Sequence, residues 1–439
     1  MNMKYPRVII IGETFRLNGG GGITMTNLFK DWPGNNIAVI TDRIDETNPD
    51  TPYSFYQLGK EEIEFPFPFS LIQKKFRSGN YNFEPNKSNS VVLEDTEKKR
   101  LGFKRRLRPL FDKFLKYSGL NSFFYTIRIS NVLKEWIIGF KPDIIYIQPF
   151  HHNIIRFGNL IYEKLGIPYA IHVMDDSVRY INKSKIFKNS FQRLIEGDFK
   201  KLIDNAEVRM CISEAMAEEY FSRYNKPFLH FRNPIETEHW LPFQKKNFTI
   251  DSGLAKIIYT GRLFPPTLSS LIDLCRVIDK LNRDDKKVVL EIYTHDKNQS
   301  FFELAASLKG IVFRAPVLPG EMPALIQKYD IFFLCLDFDG ESRKYSQFSI
   351  STRTSEGMIS GVPVLMYAPE NSAQYKYFQK TDSGCLVGLK NLDALESSLL
   401  KICNDSEFRQ HISRNAVKTA LVDSDARVVR EKFRNVLTN

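Results

Sequence analysis

The stretch FSISTRTSEGMISGVPVLMYAP (Phe348–Pro369) joins a cluster of hydroxyls, a helix start and an apolar run. With Thr354 or Ser355 as cap, it predicts a short helix over Glu356–Ser360, because a Ser or Thr side chain satisfies the free N–H groups of a first turn. The hydroxyls of Ser351, Thr352 and Thr354 then gather, with the local backbone N–H groups, at the positive end of the helix dipole. An anion is stabilised there. Arg353 adds a permanent cation whose forked N–H groups suit phosphate oxygens. Glu356 would repel a phosphate, so its use is to accept hydrogen bonds from vicinal hydroxyls such as those of a ribose. Together these residues describe a nucleoside-diphosphate site. Simple capping, Ser or Thr ahead of Glu, is the alternative this stretch leaves open by itself.

After Gly361 the run PVLMYA is short and apolar, the pattern of a strand covered on both faces. Working outward, such runs alternate with longer amphipathic stretches along the chain. In the first half they are RVIIIGE (Arg7–Glu13), NIAVITD (Asn36–Asp42), DIIYIQ (Asp143–Gln148), PYAIHVM (Pro168–Met174) and EVRMCIS (Glu207–Ser213). In the second half they are KIIYTGR, VVLEIYT, GIVFRAPV, DIFFLCL, PVLMYA and CLVG. Ser213 is placed to cap the helical SEAMAEEYFSRY, which carries acid in its first turn. This alternation predicts an α/β protein of parallel sheets with helical crossovers.

At 439 residues the chain is long for one domain. The pattern restarts after FRNPIETEHWLPFQKKNFTIDSG, residues 231–253, where Pro234, Pro242 and Gly253 interrupt any period. The expected division is a wound domain over 1–230, a linker over 231–253, a second wound domain over 254–410 and a C-terminal helix over 411–439 that crosses back to the first domain. Two wound sheets in series imply a cleft faced by the carboxyl ends of their strands.

Hydrophobic residues make up 43% and charged residues 26%, a globular balance. The net charge of +11 points to anionic partners such as a phospholipid surface or a phosphorylated small molecule. Nucleic acid is not expected, since no recognition motif accompanies the charge. The five cysteines have no metal-ligand spacing and suit a reducing compartment. The opening MNMKYPRVIIIGE runs directly into a strand without a secretory pattern. No apolar run reaches the roughly 18 residues of a membrane span. The expectation is a cytoplasmic protein.

One segment, about residues 46–116, interrupts the first domain as an insertion. Its first part has little period. Its second part, KKRLGFKRRLRPLFDKFLK (98–116), interleaves Lys and Arg with Leu and Phe. It is suited to an anionic membrane surface at the inner face or to an anionic acceptor. A solvated basic helix packing its apolar side on its own domain is the equal alternative.

TSEGMISGVPVLMYAP resembles the C-terminal signature of the GT-B glycosyltransferases, and within them the large family four, in which a Glu begins a helix that precedes a Gly-x-Pro strand. FSISTRT is similar to the Phe-Ser-x-Pro-Thr-Lys segment of one branch, with Arg353 at the lysine position. NGGGGITM (Asn18–Met25), CISEAMAEEYFSRY, RNPIE, YTGRL (Tyr259–Leu263) and VLPGEMPALIQKYDIFFL resemble further family segments in the same order. The likeness covers the chain apart from the insertion.

The resemblance implies the GT-B fold, two Rossmann-like domains facing a central cleft. It also implies retaining transfer of a sugar from a nucleotide diphosphate sugar to a glycan or lipid-linked acceptor in cell-surface polysaccharide or lipopolysaccharide synthesis. No metal and no further cofactor is implied. Arg262 and Arg353 would contact the diphosphate, Glu356 the ribose, and Ser351, Thr352 and Thr354 the phosphates. The glycine-rich loop at Gly20, Gly21 and Gly22 would approach the donor with its backbone. His172, at a strand end in IHVMDDSVRY, would sit near the transferred sugar, with Asp175 and Asp176 on the acceptor. His151 and His152 are further acceptor candidates. Two positions depart from the family. Phe348 stands where it places a first Glu, and Thr267 where GRLxxxKG places a Lys. A non-catalytic sugar-nucleotide or membrane-binding homologue is the second reading. An NAD-dependent oxidoreductase is the third, on the placement of Asp42 after the glycines, although tight Gly-x-Gly-x-x-Gly spacing is missing.

Overall fold

The structure, a computed structural model, describes residues 5–16, 20–42, 53–64, 77–81, 126–182, 188–250 and 253–438, with the single positions 109 and 113. The basic segment 98–116 therefore lies outside the described residues apart from Pro109 and Lys113. In chain order the strands are β1 (Val8–Ile11), β2 (Ile37–Thr41), β3 (Ser54–Gln57), β4 (Ile63–Glu64), β5 (Gly79–Tyr81), β6 (Thr126–Ile127), β7 (Ile144–Ile147) and β8 (Tyr169–Val173). They continue with β9 (Val208–Cys211), β10 (Leu229–His230), β11 (Leu254–Thr260), β12 (Lys287–Tyr293), β13 (Ile311–Arg314), β14 (Ile331–Cys335), β15 (Val364–Tyr367) and β16 (Cys385–Val387). The chain divides into two compact units, one of residues 1–231 with 430–439 and one of residues 232–429.

The first unit is built on an eight-stranded sheet in the order β10-β9-β8-β7-β1-β2-β3-β5. Every neighbouring pair is parallel except β3 with β5. At its centre Val8 is in register with Ile37 on one side and Ile144 on the other. All four residues of β1 are buried, as a parallel strand covered by helices on both faces requires. The helix Glu214–Tyr224 begins where Ser213 caps it, its hydroxyl accepting from Met216 N at 3.1 Å. Strands β3 and β5 correct the expectation for the insertion. Residues read as lacking period extend the main sheet, because strands of four and three residues, SFYQ and GNY, are too short to declare a period. The end of the last helix, Ala426–Thr438, completes this unit's core. Phe433 is fully buried with its ring 5.1 Å from Phe29, 5.5 Å from Phe231 and 5.9 Å from Tyr146.

The second unit carries a six-stranded sheet, β13-β12-β11-β14-β15-β16, parallel throughout. Its core packs β11, β12, β14 and β15 against the helices Leu268–Arg283 and Leu392–Asn404 through Leu271, Leu274, Ile278, Leu395 and Leu399. Residues expected as a linker are structured here: Thr237–Trp240 is a short helix with Trp240 buried, and Ile235 bridges to Asp425.

Each sheet has one point where the winding reverses, between β1 and β7 in the first and between β11 and β14 in the second. Crossovers leave in opposite directions there, so a crevice opens beyond the carboxyl ends of those strands. No helix among the described residues is long and apolar enough to cross a membrane.

Candidate functional site

In the second unit the crevice is bordered by the loop that leaves β11. Tyr259, at the end of the strand, is buried, and burial drives its phenol far above the ordinary range. Kept neutral, it donates to the Arg262 carbonyl at 2.7 Å. Leu263 N donates to Asp296 Oδ2 at 2.6 Å, and Asn298 Nδ2 to the Leu263 carbonyl at 2.9 Å. Thr267, the residue at the family's lysine position, turns its hydroxyl onto the carbonyls of Arg262 and Phe264, both at 3.1 Å. The backbone is thus held on several sides while the Arg262 side chain stays 76% exposed. Its guanidinium lies 5.7 Å from the Phe264 ring centre and 3.9 Å from the Asp296 carboxylate. This is a displayed cation on a pinned loop.

The second border is the helix Thr352–Ile359. It starts earlier than expected. Ser351 is the cap, its Oγ accepting from Arg353 N at 3.2 Å, so Thr354 and Ser355 lie inside the helix. The reason is packing. Ser355 reaches the Asn233 carbonyl at 3.4 Å and Ser424 Oγ at 3.0 Å, and a Cβ on Gly357 would come within 2.9 Å of the Phe332 ring on β14. Both contacts set the rotation and depth of the helix. As a consequence Thr354 is buried, with its Oγ1 unpartnered among the described residues, and its expected place on a phosphate is corrected. Ser351 and Thr352 remain at the accessible first turn. Phe348, at the family's first-Glu position, is also buried.

Arg353 and Glu356 occupy neighbouring turns of this helix and are paired, Nη1 to Oε2 at 2.5 Å, with side chains 33% and 17% exposed. The carboxylate holds the guanidinium above its ordinary range. The Arg262 loop leaves β11 and the Arg353 helix packs on its neighbour β14 through Gly357 and Phe332, so both stand at the switch point of the second sheet. The expectation that Arg353 faces an anion while Glu356 faces elsewhere did not include their contact with each other.

In the first unit, Gly20, Gly21 and Gly22 form the first turn of the helix Gly20–Leu28 and not a loop. Close approach explains the glycine at 21 and at 22. A Cβ on Gly21 would lie 3.0 Å from both Glu13 Oε2 and the Phe150 ring, and one on Gly22 would lie 2.9 Å from Arg16 Cβ. Glu13, the last residue of RVIIIGE, joins these glycines although it is not among the expected site residues. It stands one glycine beyond β1, is almost fully buried, accepts from Thr14 N at 3.0 Å and pairs with Arg16 Nη2 at 2.5 Å. An acid one glycine behind a wholly apolar strand was the available signal.

The histidine and aspartate candidates come out differently from expectation. His172 is completely buried in β8. Its Nε2 donates to the Phe231 carbonyl at 3.2 Å, and its Nδ1 accepts from Tyr146 Oη at 2.7 Å, which in turn accepts from Gln148 Nε2 at 3.0 Å. Burial lowers its pKa to about 4. With both nitrogens occupied inside an aromatic cage, it is a core residue and not a group at a sugar. Asp176 is likewise buried. It takes Tyr220 Oη at 2.9 Å, Arg223 through both oxygens at 3.1 and 2.8 Å, and Arg179 Nε at 3.0 Å. A carboxylate filled in this way is a structural tie and not an acceptor ligand. Asp175 is half-buried beside it. His152 is buried against Asp198 at 2.7 Å, and His151 is exposed at the start of the helix His152–Leu165. Among the described residues no group of three or more His, Cys, Asp or Glu side chains could hold a metal ion.

No family model matches the chain, and no curated protein sequence matches it. Solved structures do. Sucrose-phosphate synthase from Thermosynechococcus elongatus superposes with a TM-score of 0.62 at 10% identity over 98% of each chain. HepE from Anabaena, solved with UDP and glucose, gives 0.60 at 11% identity over 99% of this chain and 100% of its own. A UDP-forming trehalose-phosphate synthase from Burkholderia xenovorans gives 0.57 at 12% identity over 99% of both. All three are glycosyltransferases of one architecture. The chain has the GT-B fold. At these identities the GT-B likeness is one of backbone path, and the residues at the site have to be argued from their own geometry. In this chain Arg262, Arg353 and Glu356 stand beside the switch point of the second wound sheet.

Proposed function

We propose that this GT-B protein is a glycosyltransferase that takes a sugar from a nucleotide diphosphate sugar. The observation that carries the reading is that the pinned Arg262 loop leaves β11 and the Arg353 helix packs on β14, the two strands that flank the switch point of the second sheet. Two guanidinium groups and the amino end of a helix offer positive charge where a diphosphate would depart. Glu356 would accept from ribose hydroxyls. The GT-B neighbours add support, since HepE was solved with UDP-glucose and a trehalose-6-phosphate protein from E. coli with UDP-2-fluoro glucose.

The finer reading is retaining transfer without a metal ion, the charge on the leaving group being met by Arg262, Arg353 and the helix end. The acceptor is a glycan or lipid-linked sugar of cell-surface polysaccharide or lipopolysaccharide synthesis. The basic sequence 98–116 would bring the protein to the anionic inner face of the membrane. No step is assigned to His172 or Asp176, whose polar atoms are already used.

A thermal-shift panel of UDP-, GDP-, ADP- and CDP-sugars with NAD tests the proposal. The expected result is a rise in melting temperature with one sugar nucleotide, growing with the logarithm of its concentration. A rise with NAD and none with any sugar nucleotide would overturn it in favour of an oxidoreductase.

A further inference from the structure

The Arg353–Glu356 pair poses a problem for any anion that is to use Arg353. The guanidinium already has a carboxylate at 2.5 Å, and both side chains are partly buried on one face of a short helix. Ser351 Oγ is taken by Arg353 N, so the first turn is braced and the pair cannot easily separate by unwinding. The backbone behind the pair is fixed by Ser355 on Asn233 and Ser424 and by Gly357 against Phe332. What can move is the two side chains, by rotation about their own χ angles.

We infer that this ion pair is a latch, exchanged as a unit when a nucleoside diphosphate enters: Arg353 leaves the Glu356 carboxylate for the diphosphate oxygens, and Glu356 turns to the ribose hydroxyls. The inference rests on the proposed function for the identity of the ligand, and it makes two residues into positioning residues for each other. A ligand with only one half of the nucleotide breaks the pair and compensates one partner alone. A ligand with both halves compensates both. The site then discriminates in favour of intact nucleoside diphosphates and against both free pyrophosphate and free nucleosides, which is a specificity that neither residue has alone.

The latch predicts an effect of unusual sign. Glu356→Gln keeps the shape and removes the charge, so Arg353 is released. Inorganic pyrophosphate should then bind the variant roughly five- to tenfold more tightly than the parent, the equivalent of a partly buried ion pair no longer competed for. Nucleoside diphosphates should bind the same variant more weakly, because the ribose has lost a charged acceptor. Arg353→Lys, which keeps charge but loses the fork, should bind pyrophosphate no more tightly than the parent does.

Calorimetric titration of the full chain and both variants with inorganic pyrophosphate and with UDP, GDP, ADP and CDP measures these effects, with a thermal melt to show that each variant is folded. Pyrophosphate affinity unchanged or lowered in Glu356→Gln would overturn the latch, even where the parent binds a nucleoside diphosphate and the proposed function survives. Tighter pyrophosphate binding in that variant, with no nucleoside diphosphate bound by the parent, would keep Glu356 as the competitor for Arg353 but overturn the nucleotide reading and the paired exchange that rests on it.

Discussion

Gly357→Ala tests how the candidate site is held in place. In the structure an added methyl would lie 2.9 Å from Cδ1 and 3.1 Å from Cε1 of Phe332. Carbon atoms in good contact sit about 3.5 Å apart or more, so the helix Thr352–Ile359 or the ring has to move by roughly 0.6 Å. The ring has little room, since Phe332 is fully buried in β14. In an exposed helix the substitution would stabilise by about 1 kcal/mol through helix propensity. Overpacking in a close-packed interior costs about 1–3 kcal/mol, and here it wins. The expected net loss is on the order of 1 kcal/mol. The displacement falls on the helix that carries Arg353 one turn away, so nucleoside-diphosphate affinity should fall severalfold as well. Chemical denaturation gives the stability and titration with the best ligand of the panel gives the affinity. Phe332→Leu should cost stability alone yet partly rescue Gly357→Ala, a coupling between neighbours that a double-mutant cycle reads directly. A Gly357→Ala protein at least as stable as its parent, with affinity intact, would refute the packing argument and with it the account of why the helix begins at Ser351.

Arg262→Ala removes a side chain that is 76% exposed, so the melting temperature should stay within about 1 °C while donor affinity falls at least tenfold, as loss of a charge-assisted contact implies. Unchanged affinity would take Arg262 out of the site. His172 has its pKa lowered from 6.5 to about 4 by burial. The unfolded chain therefore takes up a proton below pH 6.5 that the folded protein refuses. The stability is fully present above that pH and falls by about 3 kcal/mol as the pH drops towards 4. Urea midpoints at pH 7.5 and 4.5 should differ less in His172→Gln than in the parent, and an equal difference would argue against the neutral buried ring. Asp176→Asn removes the buried carboxylate on which Tyr220, Arg179 and Arg223 meet, leaving Glu219 as the shared acid of the two arginines, and should cost about 3 kcal/mol, with nucleotide affinity unaffected at temperatures where the protein remains folded. Substituting Lys104, Arg105, Arg106 and Arg108 with Gln should reduce sedimentation with anionic vesicles at low salt. No change would leave that segment to packing.

Apolar periodicity was enough to read both wound sheets. Runs such as VIII and VLMY are buried end to end in the structure, and a strand with helices on both faces has to be apolar at every position, so the requirement is written locally. Ser213 was legible as a cap for the same reason, since its bond reaches only three residues along. Arg262, Arg353 and Glu356 could be named as candidates from the sequence, because charged residues beside a strand end and a helix start have no apolar explanation.

Their contacts were a different matter. Whether Ser351 or Thr354 caps the helix cannot be told from propensity, as both are good caps. Phe332, Asn233 and Ser424, distant in sequence, settle it by fixing how the helix lies on its sheet. His172 and Asp176 looked like site residues because each follows or ends a strand. The partners that fill them, Tyr146 and Phe231 for one, Tyr220 and Arg223 for the other, lie 26 to 59 residues away. A side chain's hydrogen-bonding capacity is set by its own chemistry and can be read one residue at a time. Whether that capacity is left over for a ligand depends on which distant groups the fold delivers to it, and only tertiary structure decides that.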